Sequence, residues 1–130
     1  MYSVTIKDHI MIAHSLKGKI FGPAQELHGA TYVAEVTFSS PRLDENQIVI
    51  DIGLAGRILK KILSPLNYQN LDTLNEFKGQ NTTTECLAKY IHDKIREQLP
   101  ASFSGLIRVV LHESPSAKAG YTGSFPEENE

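Results

Sequence analysis

The stretch IVIDIGLAGRILKKILSP, residues 48–65, decides the fold, because the spacing of its apolar residues changes partway along. Ile48, Val49 and Ile50 read as a short extended piece ending at Asp51. Beyond it Ile52, Ala55, Leu59 and Ile62 recur at helical spacing, with Lys60 and Lys61 on the opposite side. This predicts an amphipathic helix that stops before Pro65, whose ring and missing N–H cannot continue it. Upstream the period is two. Tyr2, Val4, Ile6, Ile10, Ile12 and His14 share one parity, and Ser3, Thr5, Lys7 and His9 the other. That alternation predicts a strand, with a bend or bulge near Asp8. A second strand is predicted from His28 to Phe38, with Tyr32, Ala34, Val36 and Phe38 on one face. Residues 15–27 between the two strands carry Gly18, Gly22 and Pro23 and read as a loop.

Downstream, residues 64–81 read as polar and irregular. A second helix is predicted to start at Thr82, which has capping-box spacing to Glu85, and to bury Leu87, Ala88, Ile91 and Ile95 before Pro100. Leu106 to Glu113 is rich in β-branched residues and predicts a third strand, followed by a short one near Tyr121. The order β-β-α-α-β places helices on one face of an antiparallel sheet, an α+β layout. One domain is expected over residues 1–122, with an acidic, frayed tail over 123–130. A sheet of so few strands leaves edges that identical chains can cover, so a homo-oligomer is expected.

Composition narrows the function classes. The chain has 130 residues, enough for one core, and 41% hydrophobic with 22% charged residues argues against wholesale disorder. No apolar run approaches the ~20 residues of a membrane-spanning helix, and the N-terminus has no basic-then-apolar leader. Thirteen basic against fifteen acidic residues, a formal charge of −2, argue against nucleic acid as a partner. Cys86 is the single cysteine, which excludes an intrachain disulfide and a zinc site built from several cysteines. A reduced, cytoplasmic protein is expected. The sequence has no glycine-rich phosphate loop, GxSxG, HExxH or CxxC motif.

Three strand-end histidines stand out: His14, His28 and His112. If the first two strands form a hairpin, His14 and His28 lie at the same end and can converge. Catalytic zinc normally takes three protein ligands, so two imidazoles need help, and each also reads as a hydrogen-bonded strand-end histidine. Glu113 closes a nearly continuous apolar strand; it reads either as a solvated acid or as an acceptor pair for the N–C–NH₂ edge of a pterin or guanine. Thr83, Thr84 and Glu85 are sufficiently explained by helix capping.

Six segments in order resemble one family, the 6-pyruvoyl- and 6-carboxy-tetrahydropterin synthases. They are IAHSL (12–16), LHGATY (27–32), IVIDIGLAG (48–56), LNYQNLDTLN (66–75), NTTTECLAKYI (81–91) and VVLHESPSAKAGY (109–121). The resemblance spans about Val4 to Tyr121 and implies the T-fold, a sequential antiparallel sheet with two helices between its second and third strands. It also implies trimers or hexamers in which strands close into β-barrels, with sites at subunit interfaces.

The resemblance further implies a zinc ion on three histidines, of which the first two match His14 and His28 and the third falls on Ala30. The family's cysteine falls on Ala24, the alternative glutamate position on Gln25, and the Asp-His pair that moves protons on Asn67 and Tyr68. The pterin-anchoring glutamate is matched by Glu113, and the threonines near it by Thr83 and Thr84. The implied ligand is a pterin-like small molecule. Two functions stay open on these residues. One is a divergent pterin side-chain lyase in which Glu26 or Tyr68 replaces the acid/base groups and His112 serves as a surrogate ligand. The other is a non-catalytic pterin- or purine-binding oligomer, or a scaffold for a partner enzyme.

Overall fold

A computed structural model describes residues 1–126. Strand β1 (Tyr2–His14) and strand β2 (His28–Ser40) form a long antiparallel hairpin, paired from Tyr2↔Ser40 to His14↔His28. Helix α1 (Ile52–Leu63) follows, then a two-residue strand β3 (Gln69–Asn70), helix α2 (Thr84–Gln98), and strands β4 (Gly105–Ser114) and β5 (Ala117–Phe125). The sheet order is β3-β1-β2-β4-β5. Its four long strands are therefore sequential and antiparallel, and both helices lie between the second and third of them. The small β3 pairs parallel with β1 at Ile12 and Ala13, making the sheet mixed.

Alternation decides which face is covered. Ile10 and Ile12 of β1, Tyr32, Ala34, Val36 and Phe38 of β2, and Ile107, Val109 and Leu111 of β4 are all buried. They meet Ala55, Leu59 and Ile62 of α1 and Leu87, Ile91 and Ile95 of α2 in one core. Helix α1 lies against β1, and α2 lies against β4 and β5. The α+β expectation holds, and so does the helix over 52–63. Asp51 caps it, accepting from Leu54 N at 2.7 Å, and Ser64 closes its last turn against Lys60 O ahead of Pro65.

Several local expectations are corrected. β1 shows no bulge at Asp8: pairing runs unbroken, and Asp8 sits at the margin of the helix layer near Lys60 and Ser64, where a carboxylate on the inner parity reaches solvent. The 15–27 loop contains 3-10 turns over Lys19–Gln25, and Gly22 adopts φ 53 at the kink between them. Residues 48–50 form no strand, although Ile50 is buried. The 64–81 segment is far from formless, because Leu66, Leu71 and Phe77 anchor it in the core. The cap of α2 is Thr83, whose hydroxyl accepts from Cys86 N, one residue later than the spacing suggested. β5 carries the sheet to Phe125, into the tail expected over 123–130; residues 127–130 of that expectation lie outside the described residues.

Candidate functional site

The hairpin register places His14 directly opposite His28. Their ring centroids are 4.6 Å apart, edge to face. Each ring is fixed through Nδ1. His28 Nδ1 lies 2.9 Å from the Glu26 carbonyl oxygen. A carbonyl can only accept, so this nitrogen carries the proton and donates. His14 Nδ1 lies 2.9 Å from Thr82 Oγ1, and both side chains are buried. The other nitrogen of each ring, Nε2, is left for something else. His14 Nε2 makes no hydrogen bond to a described residue, yet it is not among the polar atoms sealed from solvent.

The residues after His14 are strapped to the 70–82 segment. Asp72 accepts from Ser15 N at 3.0 Å and from Ser15 Oγ at 2.6 Å. Asn81 bonds both backbone groups of Lys17, each at 2.8 Å. The Thr82 bond orients the His14 ring itself, and these contacts fix the chain that follows it. Burial, then the neighbouring His28, hold the His14 imidazole below its ordinary pKa; Thr82, Asp72 and Glu113 pull the other way.

Glu113 is exposed, and it is the extra residue of a β-bulge where the β4–β5 register slips between His112 and Ser114. Bulges re-aim a side chain, and this one leaves Glu113 within electrostatic reach of both His14 and Tyr32. Tyr32 is buried, with its hydroxyl 3.4 Å from Thr84 Oγ1. Burial raises its pKa, as do Glu113 and Glu85, against the Thr84 bond. Of the sequence candidates, then, His14, His28, Glu113 and Thr84 gather at one end of the helix-covered face. Thr83 is occupied as the cap of α2.

The other positions behave differently. Ala30 lies opposite Ile12, two residues beyond His28 on the same face, and its methyl packs against the core. Ala24 contributes a backbone carbonyl to Leu16 N, and Gln25 bonds Gly22 O. Asn67 Oδ1 accepts from Met11 N, and Tyr68 N donates to Met11 O at 2.6 Å, so this pair serves the edge of β1. Tyr68 has φ 61 and is 76% exposed. Glu26 is exposed beside His28. His112 is corrected as a surrogate ligand: it has the opposite parity to Ile107, Val109 and Leu111 and bonds Glu35 on the helix-free face.

For zinc, two oriented imidazoles are present, the position that the family resemblance gives to a third ligand is the methyl group of Ala30, and no group of three or more His, Cys, Asp or Glu able to hold a metal occurs among the described residues. The residues of one chain do not complete a three-ligand site. A separate cleft of about 510 Å³, lined by Ser40, Arg42, Asp51 and Phe103, lies at the opposite end of the hairpin. Its Asp44 and Asp51 are engaged in a turn and a helix cap. Thr82, Asp72 and Asn81 were missed from sequence. The available signal was the run of three threonines at 82–84, since only one of them can cap the helix.

The family model described as 6-pyruvoyl tetrahydropterin synthase matches residues 3–124. The chain is similar to the 6-pyruvoyl tetrahydrobiopterin synthase of Drosophila melanogaster, 34% identical over 112 residues, which cover 83% of this chain and 66% of that protein. It therefore spans just under two thirds of that relative's length. It is 26% identical over 121 residues to the 6-carboxy-5,6,7,8-tetrahydropterin synthase of Bacillus subtilis, covering 87% of this chain and 80% of that one. Among solved structures, the 6-pyruvoyl tetrahydropterin synthase of Caenorhabditis elegans superposes with a TM-score of 0.79 at 25% identity, over 95% of this chain and 98% of the other.

Proposed function

The chain belongs to the 6-pyruvoyl tetrahydropterin synthase family, with its T-fold, and we propose that it is a member that binds a reduced pterin through Glu113 while its zinc and acid/base site is altered. One observation carries the reading. The ring-anchor position Glu113 and the oriented pair His14–His28 share one end of the sheet, whereas the third ligand position on the same face is the core-packed Ala30. Glu113 accepts the N–C–NH₂ edge of the ring, and Thr84, bonded to Tyr32, flanks it.

Turnover of the family kind needs a base within reach of the proton it removes. Alanine at 24 has none, and Asn67 cannot titrate and is spent on Met11. Of the two replacement candidates, Glu26 adjoins the histidines through its own carbonyl, while Tyr68 stands beside Met11. Any residual acid/base work is therefore assigned to Glu26. The assembly is a homo-oligomer, trimer or hexamer, supported by the free outer edge of β5 and the unpaired edge of β1 over residues 2–10. No helix of the described residues is long and apolar enough to cross a membrane. The lone, exposed Cys86 supports a reducing, cytoplasmic setting.

Calorimetric titration with dihydroneopterin, alongside light scattering, tests this reading. Binding by a protein that scatters as a trimer or hexamer is expected. No binding, or a monodisperse monomer at micromolar concentration, contradicts it.

A further inference from the structure

We propose that the helix-free face of the sheet is a second binding site, which takes a small anion carrying two or more linked phosphate groups. It lies across the sheet from the histidine pair and does not rest on the pterin reading.

The strand register lays this face out in rows. Thr5, Thr37, Arg108 and Thr122 stand side by side on β1, β2, β4 and β5. The next row holds Lys7, Glu35, Val110 and Gly120, and the one after it His9, Val33, His112 and Lys118. Lys7, Arg108 and Lys118 are exposed, and across these rows they face one carboxylate, Glu35. The whole chain carries a formal charge of −2, so positive charge is gathered here against the overall balance.

The one acid is already engaged. Glu35 Oε2 lies 3.0 Å from His112 Nε2, and because a carboxylate accepts, the imidazole donates. That bond, helped by Lys7 and Lys118 and opposed by burial, holds Glu35 below the ordinary carboxylate pKa. The Arg108 guanidinium, by contrast, has no hydrogen bond or ion pair among the described residues. Its neighbours on both sides are threonines. Thr5 Oγ1 and Thr37 Oγ1 are 2.8 Å apart, so one hydroxyl proton is spent between them and the other is free to donate outward. A guanidinium fork, a hydroxyl proton and two ammonium groups make a donor set suited to phosphate oxygens. With strands ~4.8 Å apart, Lys7 on β1 and Lys118 on β5 rise from strands ~14 Å apart. Linked phosphates bridge that width better than a single one. Nucleic acid binding rests on many phosphate contacts, and three cations are too few for it.

The test is calorimetric titration of the full-length protein with pyrophosphate, orthophosphate and citrate at fixed ionic strength. Pyrophosphate should bind more tightly than the other two. Arg108→Gln should weaken it ~10–100-fold. Glu35→Gln removes the negative charge, keeps an acceptor for His112 and should tighten binding ~2–5-fold, a gain that a misfolded variant does not give. Lys60→Gln takes one cation from helix α1, on the other side of the sheet, and should leave affinity unchanged. Absence of pyrophosphate binding overturns the inference. Equal losses in Lys60→Gln and Arg108→Gln overturn it too, since net charge alone would then be at work. Citrate bound as tightly as pyrophosphate, or a single-stranded oligonucleotide bound more tightly, refutes the ligand class. Saturating dihydroneopterin should leave pyrophosphate binding intact. Displacement would mean one shared site and contradict the inference while the pterin reading stands; failure of dihydroneopterin itself to bind counts against the pterin reading alone.

Discussion

Two regions flank the same strand, β1, and their side chains are put to opposite uses. At its end, His14 meets His28 with both rings oriented by Nδ1 bonds, and Thr82, Asp72 and Asn81 hold His14 and the residues after it in place. Three residues earlier, at Met11, stands the Asn67–Tyr68 turn, at the positions the family resemblance assigns to a proton-moving pair. Here both residues serve the backbone of Met11. On the proposed reading, a site's scaffold and its chemistry separate here. Orientation is distributed over many bonds and persists when one is lost, whereas proton transfer or metal binding depends on single atoms that alanine or asparagine does not have.

The largest effect this contrast predicts is on turnover. Conversion of dihydroneopterin triphosphate should run at least ~10²–10⁴-fold below that of a relative with the full acid/base set, measured side by side. Glu26→Gln should lower whatever rate remains. Equal rates in the two proteins would break the contrast at once.

Ring binding comes next. Glu113→Gln keeps the shape but loses the charge and one acceptor, so pterin affinity should fall by ~1.5–3 kcal/mol, with oligomeric state unchanged. Undiminished affinity in calorimetry would mean that the bulge at 112–114 aims Glu113 elsewhere.

How much of this was legible beforehand depends on periodicity. The long strands and both helices announce themselves because burial repeats every two or every 3.6 residues. β3 could not be read this way: two residues have no period, and its pairing with Ile12 and Ala13 rests on the Leu66 and Leu71 anchors around it. The histidine pair was legible because a hairpin puts strand ends opposite each other. Thr82 was not, because its capping-box spacing to Glu85 is equally good and only the observed helix start at Thr84 releases it. The face of His112 was readable in principle, since its parity opposes Ile107, Val109 and Leu111. The bulge at Glu113 leaves no sequence signature here, so its aim could only be seen in the fold.

Smaller effects sharpen the contrast through stability. His14 has a folded-state pKa below the 6.5 of a free imidazole, so the unfolded chain binds the extra proton more readily. Stability should be fully present at and above neutral pH and decline as pH falls through 6.5 toward the lowered value. Denaturant midpoints from pH 7.5 to 5 should show this, and His14→Gln should flatten the slope. A midpoint that rises on acidification over this range would contradict the burial argument. Tyr68 in the left-handed region carries strain that glycine avoids, so Tyr68→Gly should stabilise by up to ~1 kcal/mol and leave residual turnover unchanged. A loss of turnover in that variant would return Tyr68 to the chemistry.

The most direct test of the central claim, a site that keeps its orientation and lacks its metal, is zinc content per chain by elemental analysis, before and after dialysis against chelator. The unmodified protein should hold well under one equivalent, easily removed, and Ala30→His should raise this toward one retained equivalent by completing the three-imidazole set. One stoichiometric, chelator-resistant zinc in the unmodified protein would contradict the account.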